Sequence, residues 1–184
     1  MGIAPMRQRV WLLLALVPTW VGAHPVDEVV QGAYLTLAPG ELRLELDITA
    51  GSAVTSEIIK SLDENADRYV TTAEAHTYAQ RVLEQSTLVL DGVTASWKLE
   101  NVSVPPYQNL ELGGGTIKIY AVAQRSDSGG AHILSYQNRY QPEKSQWTAN
   151  VFLRPGGGWH YQVTSQQRSN DGRQLIVNYT ATQL

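Results

Sequence analysis

The sequence predicts a mainly β protein of the α+β class, an antiparallel β-sandwich with one helix-loop-helix inserted near its start. Most of the chain alternates apolar and polar residues with a period of two, and turn-forming residues separate the alternating segments. In one interval, at about 52–85, the apolar spacing changes to three and four, as in helices. Two short helices cannot form a core alone, so we expect them to pack on the sheets.

The first 23 residues are predicted to be an export signal. Arg7 and Arg9 form a basic start, an apolar run follows, and Val21-Gly22-Ala23 supplies a small-residue cleavage site. The apolar run is shorter than the about 20 residues that span a bilayer, although an uncleaved N-terminal anchor is the alternative. Cleavage would leave residues 24–184 as one periplasmic or secreted domain with no stable membrane insertion.

The net charge and the absence of cysteine limit which partners and which kinds of fold stabilisation are expected. The chain has 17 acidic and 14 basic residues, and removal of the signal would leave a net charge of −5 because the signal holds two of the arginines. Nucleic acid is not an expected partner, since its phosphates require a basic surface. The chain has no cysteine, so it must build its core without disulfides, and its length allows this.

The first two alternating segments predict a β-hairpin. They cover 29–37 and 41–49 and flank the turn sequence Ala38-Pro39-Gly40. In the second segment every other residue is apolar, which is typical of a strand with one buried face. These apolar residues are Leu42, Leu44, Leu46 and Ile48.

A helical pattern follows the hairpin. Ser52 is a plausible N-cap for a first helix that carries Val54, Ile58, Ile59 and Leu62. A second helix is predicted from about Thr72. Its apolar face would consist of Ala75, Tyr78, Ala79, Val82 and Leu83.

Strand patterns return after Gln85. Asp91-Gly92 predicts a two-residue hairpin turn between two arms, and Pro105-Pro106 ends the second arm. Turn sequences separate the remaining predicted strands, which cover 116–124, 132–140, 146–153, 158–167 and 174–182. No repeat or linker interrupts this series, so a single domain is expected.

The twelve residues between the predicted helices match the ligand pattern of an EF-hand calcium loop. Such a loop binds Ca²⁺ through positions 1, 3, 5, 7, 9 and 12, using carboxylate, amide and carbonyl oxygens. The matching groups are Asp63, Asn65, Asp67, the backbone carbonyl of Tyr69, Thr71 and Glu74. The sequence therefore predicts an EF-hand-like calcium site with calcium as the cofactor.

One residue of the loop and one alternative interpretation weigh against a strong calcium site. Arg68 occupies the sixth position, where the sharp turn favours glycine, so we expect weak affinity or a distorted loop. The alternative is a polar turn followed by a capping box, in which Thr71 caps the second helix and Glu74 reaches back. That alternative explains neither Asp67 nor the alternation of acidic residues.

The mature chain resembles the extracytoplasmic N-terminal domain of nickel/cobalt-transporter-like (HupE/UreJ-like) proteins, which precedes their membrane part. The matching residues are His24-Pro25, Ala33-Tyr34, the loop Asp63 to Glu74, Ala75, Tyr78-Ala79, Leu88 to Gly92 and Gly130 to Asn138. The resemblance implies a β-rich extracytoplasmic domain with an inserted calcium loop. Because this sequence ends at Leu184 without membrane helices, we expect an accessory or sensing role beside a transporter-like membrane partner, and no transport activity.

The histidines allow a second hypothesis. His76, His132 and His160, with His24 at the mature N-terminus, could bind nickel or cobalt in a transition-metal accessory protein whose loop is only structural. His24 could also bind copper together with a second histidine. The spacing of the other three histidines along the sequence does not favour such a site. The chain lacks a G-x-S-x-G nucleophile motif, and we do not expect an enzyme.

Overall fold

The computed structural model describes residues 27–184, so the predicted export signal and His24 lie outside the described residues. The strands are β1 Val29–Ala38, β2 Glu41–Ala50, β3 Ser86–Leu90, β4 Val93–Ala95, β5 Lys98–Ser103, β6 Thr116–Gln124, β7 Gly130–Asn138, β8 Ser145–Leu153, β9 Trp159–Arg168 and β10 Gln174–Gln183. The helices are α1 Thr55–Leu62, α2 Thr72–Glu84 and α3 Tyr107–Glu111. Strands make up 52% of the described residues, which confirms the mainly β prediction.

The strands form two five-stranded sheets. The first has the order β5-β6-β2-β1-β8 and the second the order β4-β3-β7-β10-β9. Consecutive strands pair as predicted hairpins at β1–β2, where Ala38 lies opposite Glu41, and at β3–β4, where Leu90 lies opposite Val93. The pairing of β1 with β8 is parallel, a long-range contact that alternation within either strand does not predict.

The core lies between the sheets and is closed by the two predicted helices. The four apolar residues of β2 that the alternation predicted to face inward, Leu42, Leu44, Leu46 and Ile48, are at most 2% exposed. The predicted apolar face of α2 is buried completely. Full burial of one such side chain contributes about 1.5–3 kcal/mol, so this shared core is the main source of stability. Its largest members are Leu35, Leu37, Leu42, Leu44, Leu46, Ile48, Ile58, Leu62, Tyr78, Leu88, Ile117 and Tyr136.

Local details differ from the predictions in two places. Ser52 does not cap α1, which begins at Thr55 after the N-cap residue Val54. The backbone N–H of Thr55 instead donates to the carbonyl of Gly51 at 3.0 Å, so a tight turn replaces the expected side-chain cap. The second arm after Asp91-Gly92 is also interrupted, because the chain leaves the second sheet after β4 and enters the first sheet as β5.

The short helix α3 was not predicted, and it holds the start of α1. The hydroxyl of Thr55 donates to the carbonyl of Leu110 at 2.7 Å. Gly113 follows α3 with φ of 67°, and a Cβ there would lie 2.3 Å from the backbone N of Ser52. Glycine is therefore required for this close approach.

The helices described for residues 27–184 are short, and none of them is long and apolar enough to cross a membrane.

A buried polar network joins the two sheets. Asn138 of β7 is 2% exposed, and its amide donates to Gln31 of β1 at 2.9 Å. The same amide accepts a bond of 2.9 Å from the backbone N–H of Tyr140. Gln31 in turn donates to the Tyr140 carbonyl at 3.0 Å. Each partner satisfies the other, so removal of one leaves buried polar groups unpaired.

We expect Asn138→Ala to destabilise the fold by about 2–4 kcal/mol, because the Gln31 carbonyl oxygen and the Tyr140 N–H would both lose their partner. Urea denaturation of the variant measures this loss. Asn101→Ala on the exposed side of β5 is the control and should change the free energy of unfolding by less than about 0.5 kcal/mol. Equal losses in the two variants would show that the network is not what stabilises the sheet contact.

Candidate functional site

The predicted calcium loop connects the end of α1 to the start of α2. Leu62 ends α1 in the core, and the next backbone N–H, from Asp63, donates to the Ile59 carbonyl at 2.7 Å. At the other end Thr71 and Glu74 form the capping box. The hydroxyl of Thr71 accepts from the Glu74 N–H at 3.2 Å, and Glu74 accepts from the Thr71 N–H at 2.9 Å. The core and the box together fix both ends of the loop.

Asp63, the first predicted ligand, is buried at 3% exposure. Its Oδ2 accepts a hydrogen bond of 3.0 Å from the backbone N–H of Arg68. Its Oδ1 is shielded from solvent and has no hydrogen-bond partner within residues 27–184. A buried carboxylate oxygen without a partner is unfavourable by about 1–3 kcal/mol or more, unless a cation or donor satisfies it. This oxygen is suited to a cation.

The loop bends at two residues with left-handed backbone conformation. Ala66 has φ of 58° and Arg68 has φ of 65°. This is the conformation for which the sixth position normally takes glycine, and a side chain there costs about 1–2 kcal/mol. The bend directs the Arg68 N–H at Asp63 and so closes the first half of the loop.

The charge of Arg68 lies against α3. One terminal nitrogen of its guanidinium contacts both carboxylate oxygens of Glu111 at 2.9 Å. The guanidinium carbon also lies 5.6 Å from the centre of the Tyr107 ring. The positive charge that the sequence places inside an acidic loop is therefore neutralised at a helix 43 residues further along the chain.

The middle of the loop is exposed, and its side chains bond to one another. Asn65 donates to Asp67 at 3.1 Å and accepts from the Asp67 N–H at 2.9 Å. The other Asp67 oxygen accepts from the N–H of Tyr69 at 2.8 Å. Within the described chain no three histidine, aspartate or glutamate side chains form a group that could hold a metal ion. The structure thus brings the predicted ligands onto one short loop but not around one point.

Hydrogen bonds from Thr71 favour the charged form of the Glu74 side chain. The hydroxyl of Thr71 is the largest cause that lowers the pKa of Glu74 from its ordinary value of 4.5, and the Thr71 N–H acts in the same direction. Backbone N–H groups of Glu64 and Asn65 lower this pKa further.

A cavity of about 680 Å³ lies beside the loop, between α1 and α3. Asp63, Tyr107 and Glu111 are among its lining residues. Burial raises the pKa of the Tyr107 phenol, and the negative charges of Asp63 and Glu111 raise it further. Neither Tyr107 nor Glu111, both on α3, was predicted as a site residue from the sequence. Pro105-Pro106 marks a possible helix start, but no local pattern indicates a contact with a loop 40 residues earlier.

The histidines of the second hypothesis lie on separate elements. His132 on β7 has its Nδ1 2.7 Å from Asp91 and its Nε2 2.9 Å from the Ser128 carbonyl. His76 lies exposed on α2 and His160 exposed on β9. His132 is therefore engaged by the protein, and the structure does not bring the three described histidines into one metal-binding group.

A scan of the sequence against models of known protein families finds no match, and a search among curated proteins finds none either. The resemblance to the extracytoplasmic domain of nickel/cobalt-transporter-like proteins stays a prediction. The loop itself is therefore the main structural indication of function.

The depressed pKa of Glu74 predicts an acid-dependent contribution to stability. A carboxyl whose pKa is lower in the folded protein stabilises the fold above its unfolded pKa, and this contribution is lost as the pH falls through the folded value. The stability difference between the wild type and Glu74→Gln should be largest near pH 6 and should shrink below about pH 4.5. Urea denaturation at a series of pH values measures it. Glu84→Gln, at the other end of α2, controls for the loss of one charge, and an equally pH-dependent difference there would contradict the assignment.

Proposed function

We propose that this protein is an exported calcium-binding domain, in which the loop from Asp63 to Glu74 binds Ca²⁺ for a structural, sensing or accessory role. The observation that carries the proposal is the buried Oδ1 of Asp63, which lacks a partner in the described chain at the first ligand position. Calcium is a hard cation that prefers carboxylate and carbonyl oxygens, and this oxygen is the kind of group it would satisfy.

The loop backbone supports the same proposal. Arg68 has the left-handed conformation that a calcium loop needs at its sixth position, although it is not glycine. Its guanidinium is paired with Glu111 and so does not compete with an ion for the loop carboxylates. The hydrogen bonds from Thr71 lower the pKa of Glu74 and so favour its charged form. The calcium ion would be held by Asp63, Asn65, Asp67, the Tyr69 carbonyl, Thr71 and Glu74.

Weak affinity is part of the proposal. Asn65 and Asp67 would have to exchange their mutual hydrogen bond for the ion, and Asp67 would also lose its bond to Tyr69. These lost hydrogen bonds favour a dissociation constant of about 10⁻⁴–10⁻³ M, the range of extracellular calcium modules.

Binding of calcium would act on the packing of the two helices. The loop joins α1, which is bonded to α3, to α2, whose Tyr78 hydroxyl lies 2.9 Å from that of Tyr140. An ion held between the ends of the loop would fix the angle between these helices on the sheets. An exported location and a transporter-like membrane partner belong to the proposal through the N-terminal signal pattern and the resemblance.

The test is a thermal melt of the protein with Ca²⁺, Mg²⁺, Ni²⁺ or a chelator. At 10 mM Ca²⁺ the proposed affinity corresponds to stabilisation by about 1.4–2.7 kcal/mol, or a rise in Tm of about 3–10 °C. The shift should disappear in Glu74→Gln, which can still form the helix cap but cannot bind the ion with two charged oxygens.

Glu84→Gln removes the same charge from α2 outside the loop and should keep the full calcium shift. The proposal fails if Mg²⁺ moves the Tm as far as Ca²⁺ does, or if the shift survives in Glu74→Gln. A shift with Ni²⁺ alone that is lost in His132→Ala would favour the transition-metal hypothesis.

Two substitutions at Arg68 separate the effects of strain and charge. Arg68→Gly removes both the left-handed strain and the charge, whereas Arg68→Ala removes the charge and keeps the strain. Because Arg68 already has the left-handed conformation that a calcium loop needs, the strain is the same before and after binding and acts on the stability of the fold. Arg68→Gly should therefore be about 1 kcal/mol more stable than Arg68→Ala in urea denaturation, whereas isothermal titration calorimetry should give similar calcium affinities for the two variants. Tighter binding by Arg68→Gly would mean that the loop changes conformation when it binds the ion.

A further inference from the structure

The outer face of the first sheet carries a groove of about 520 Å³. All five strands of the sheet contribute to its lining, which includes aromatic, basic and acidic side chains. Its volume lies in the range of about 300–1,000 Å³ that is usual for small-molecule sites. The groove lies on strands, whereas the calcium loop lies between helices, so the two features are independent.

Two aromatic rings form a platform at one side of the groove. The ring of Tyr34 lies over Gly32, where a Cβ would be 2.9 Å from the tyrosine oxygen and 3.1 Å from ring carbons. A side chain at position 32 would displace the ring, so glycine allows Tyr34 to lie along its own strand. Phe152 of β8 continues the surface, with its ring centre 6.4 Å from that of Tyr34 and an angle of 36° between the planes. Phe152 is 53% exposed, so the platform is open to a ligand.

Alternating donors and acceptors line the other side of the groove. Lys118 lies 2.6 Å from Glu45 and 3.2 Å from Asp47, and Arg43 lies 3.0 Å from Glu100. These ion pairs hold the side chains in place across β2, β5 and β6. Lysine can donate three hydrogen bonds, arginine five, and each carboxylate can accept about four, so the groups retain capacity for a ligand.

This combination of groups identifies the ligand by its chemistry. An anion would meet three lining carboxylates against two basic groups, and a purely apolar ligand would desolvate all five charges without compensation. A pyranose ring has C–H groups on one face and hydroxyl groups at its edge that both donate and accept. Its apolar face fits the platform, and its hydroxyls fit the mixed charged side. We propose that this groove is a binding site for neutral oligosaccharides.

The proposal is tested with the chain from residue 24 onward and three uncharged probes, cellohexaose, maltohexaose and N-acetylchitohexaose. Isothermal titration calorimetry should show saturable binding of at least one probe. Phe152→Ala should weaken that binding by about tenfold, because half of the platform is lost. Lys118→Gln should weaken it as well, since the lysine donates to the ligand hydroxyls and positions two carboxylates.

Ile133→Ala is the matched control, because Ile133 is 52% exposed on the second sheet, and this variant should bind like the wild type. Thermal melts of all three variants verify that they fold. The proposal is overturned if no probe binds at 10 mM, or if Phe152→Ala and Lys118→Gln both bind like the wild type. Calcium is omitted from one series and added to another, so a failure here is distinguishable from a failure of the calcium loop.

Discussion

The burial of α1 and α2 in the shared apolar core is the constraint on which the remaining structure depends. Leu62 and Tyr78 are fully buried on either side of the loop, so the core fixes where the loop begins and ends. The loop itself contributes little apolar surface and is largely exposed. Its conformation therefore follows from its anchored ends, its internal hydrogen bonds and the contact of Arg68 with α3.

Asp63 shows how this packing produces a chemically distinctive group. The residue follows directly after the last buried residue of α1, and its carboxylate is drawn into the protein with the helix end. One oxygen is satisfied by the turn at Arg68, and the other has no partner among the described residues. A structure stabilised mainly by apolar burial can tolerate such an oxygen, and a cation that binds there would convert an unfavourable contact into a favourable one.

Arg68 and Gly32 illustrate opposite uses of backbone conformation and side-chain size. Arg68 accepts a strained backbone because its side chain reaches Glu111 and ties the loop to α3. Gly32 gives up a side chain so that the Tyr34 ring can lie on the sheet. In both places a neighbouring element determines which residue is tolerated. The conformational propensity of the single residue does not determine it.

Much of the fold was determined by the sequence alone, because alternation and turn chemistry act over a few residues. The hairpins at Pro39-Gly40 and Asp91-Gly92, the buried face of α2 and the capping box of Thr71 and Glu74 all follow from local patterns. The spacing of oxygen-bearing residues in the loop from Asp63 to Glu74 could also be read from the sequence.

Contacts between distant segments were decided only by the tertiary structure. The parallel pairing of β1 with β8, the crossing from β4 to β5 and the helix α3 depend on how separate elements fill a shared core. The same holds for the partner of Arg68, for the orphaned oxygen of Asp63 and for the groove beside Tyr34 and Phe152. Short-range patterns specify which face of an element is apolar, but the entropy of closing long loops and the volume of the core select which elements meet.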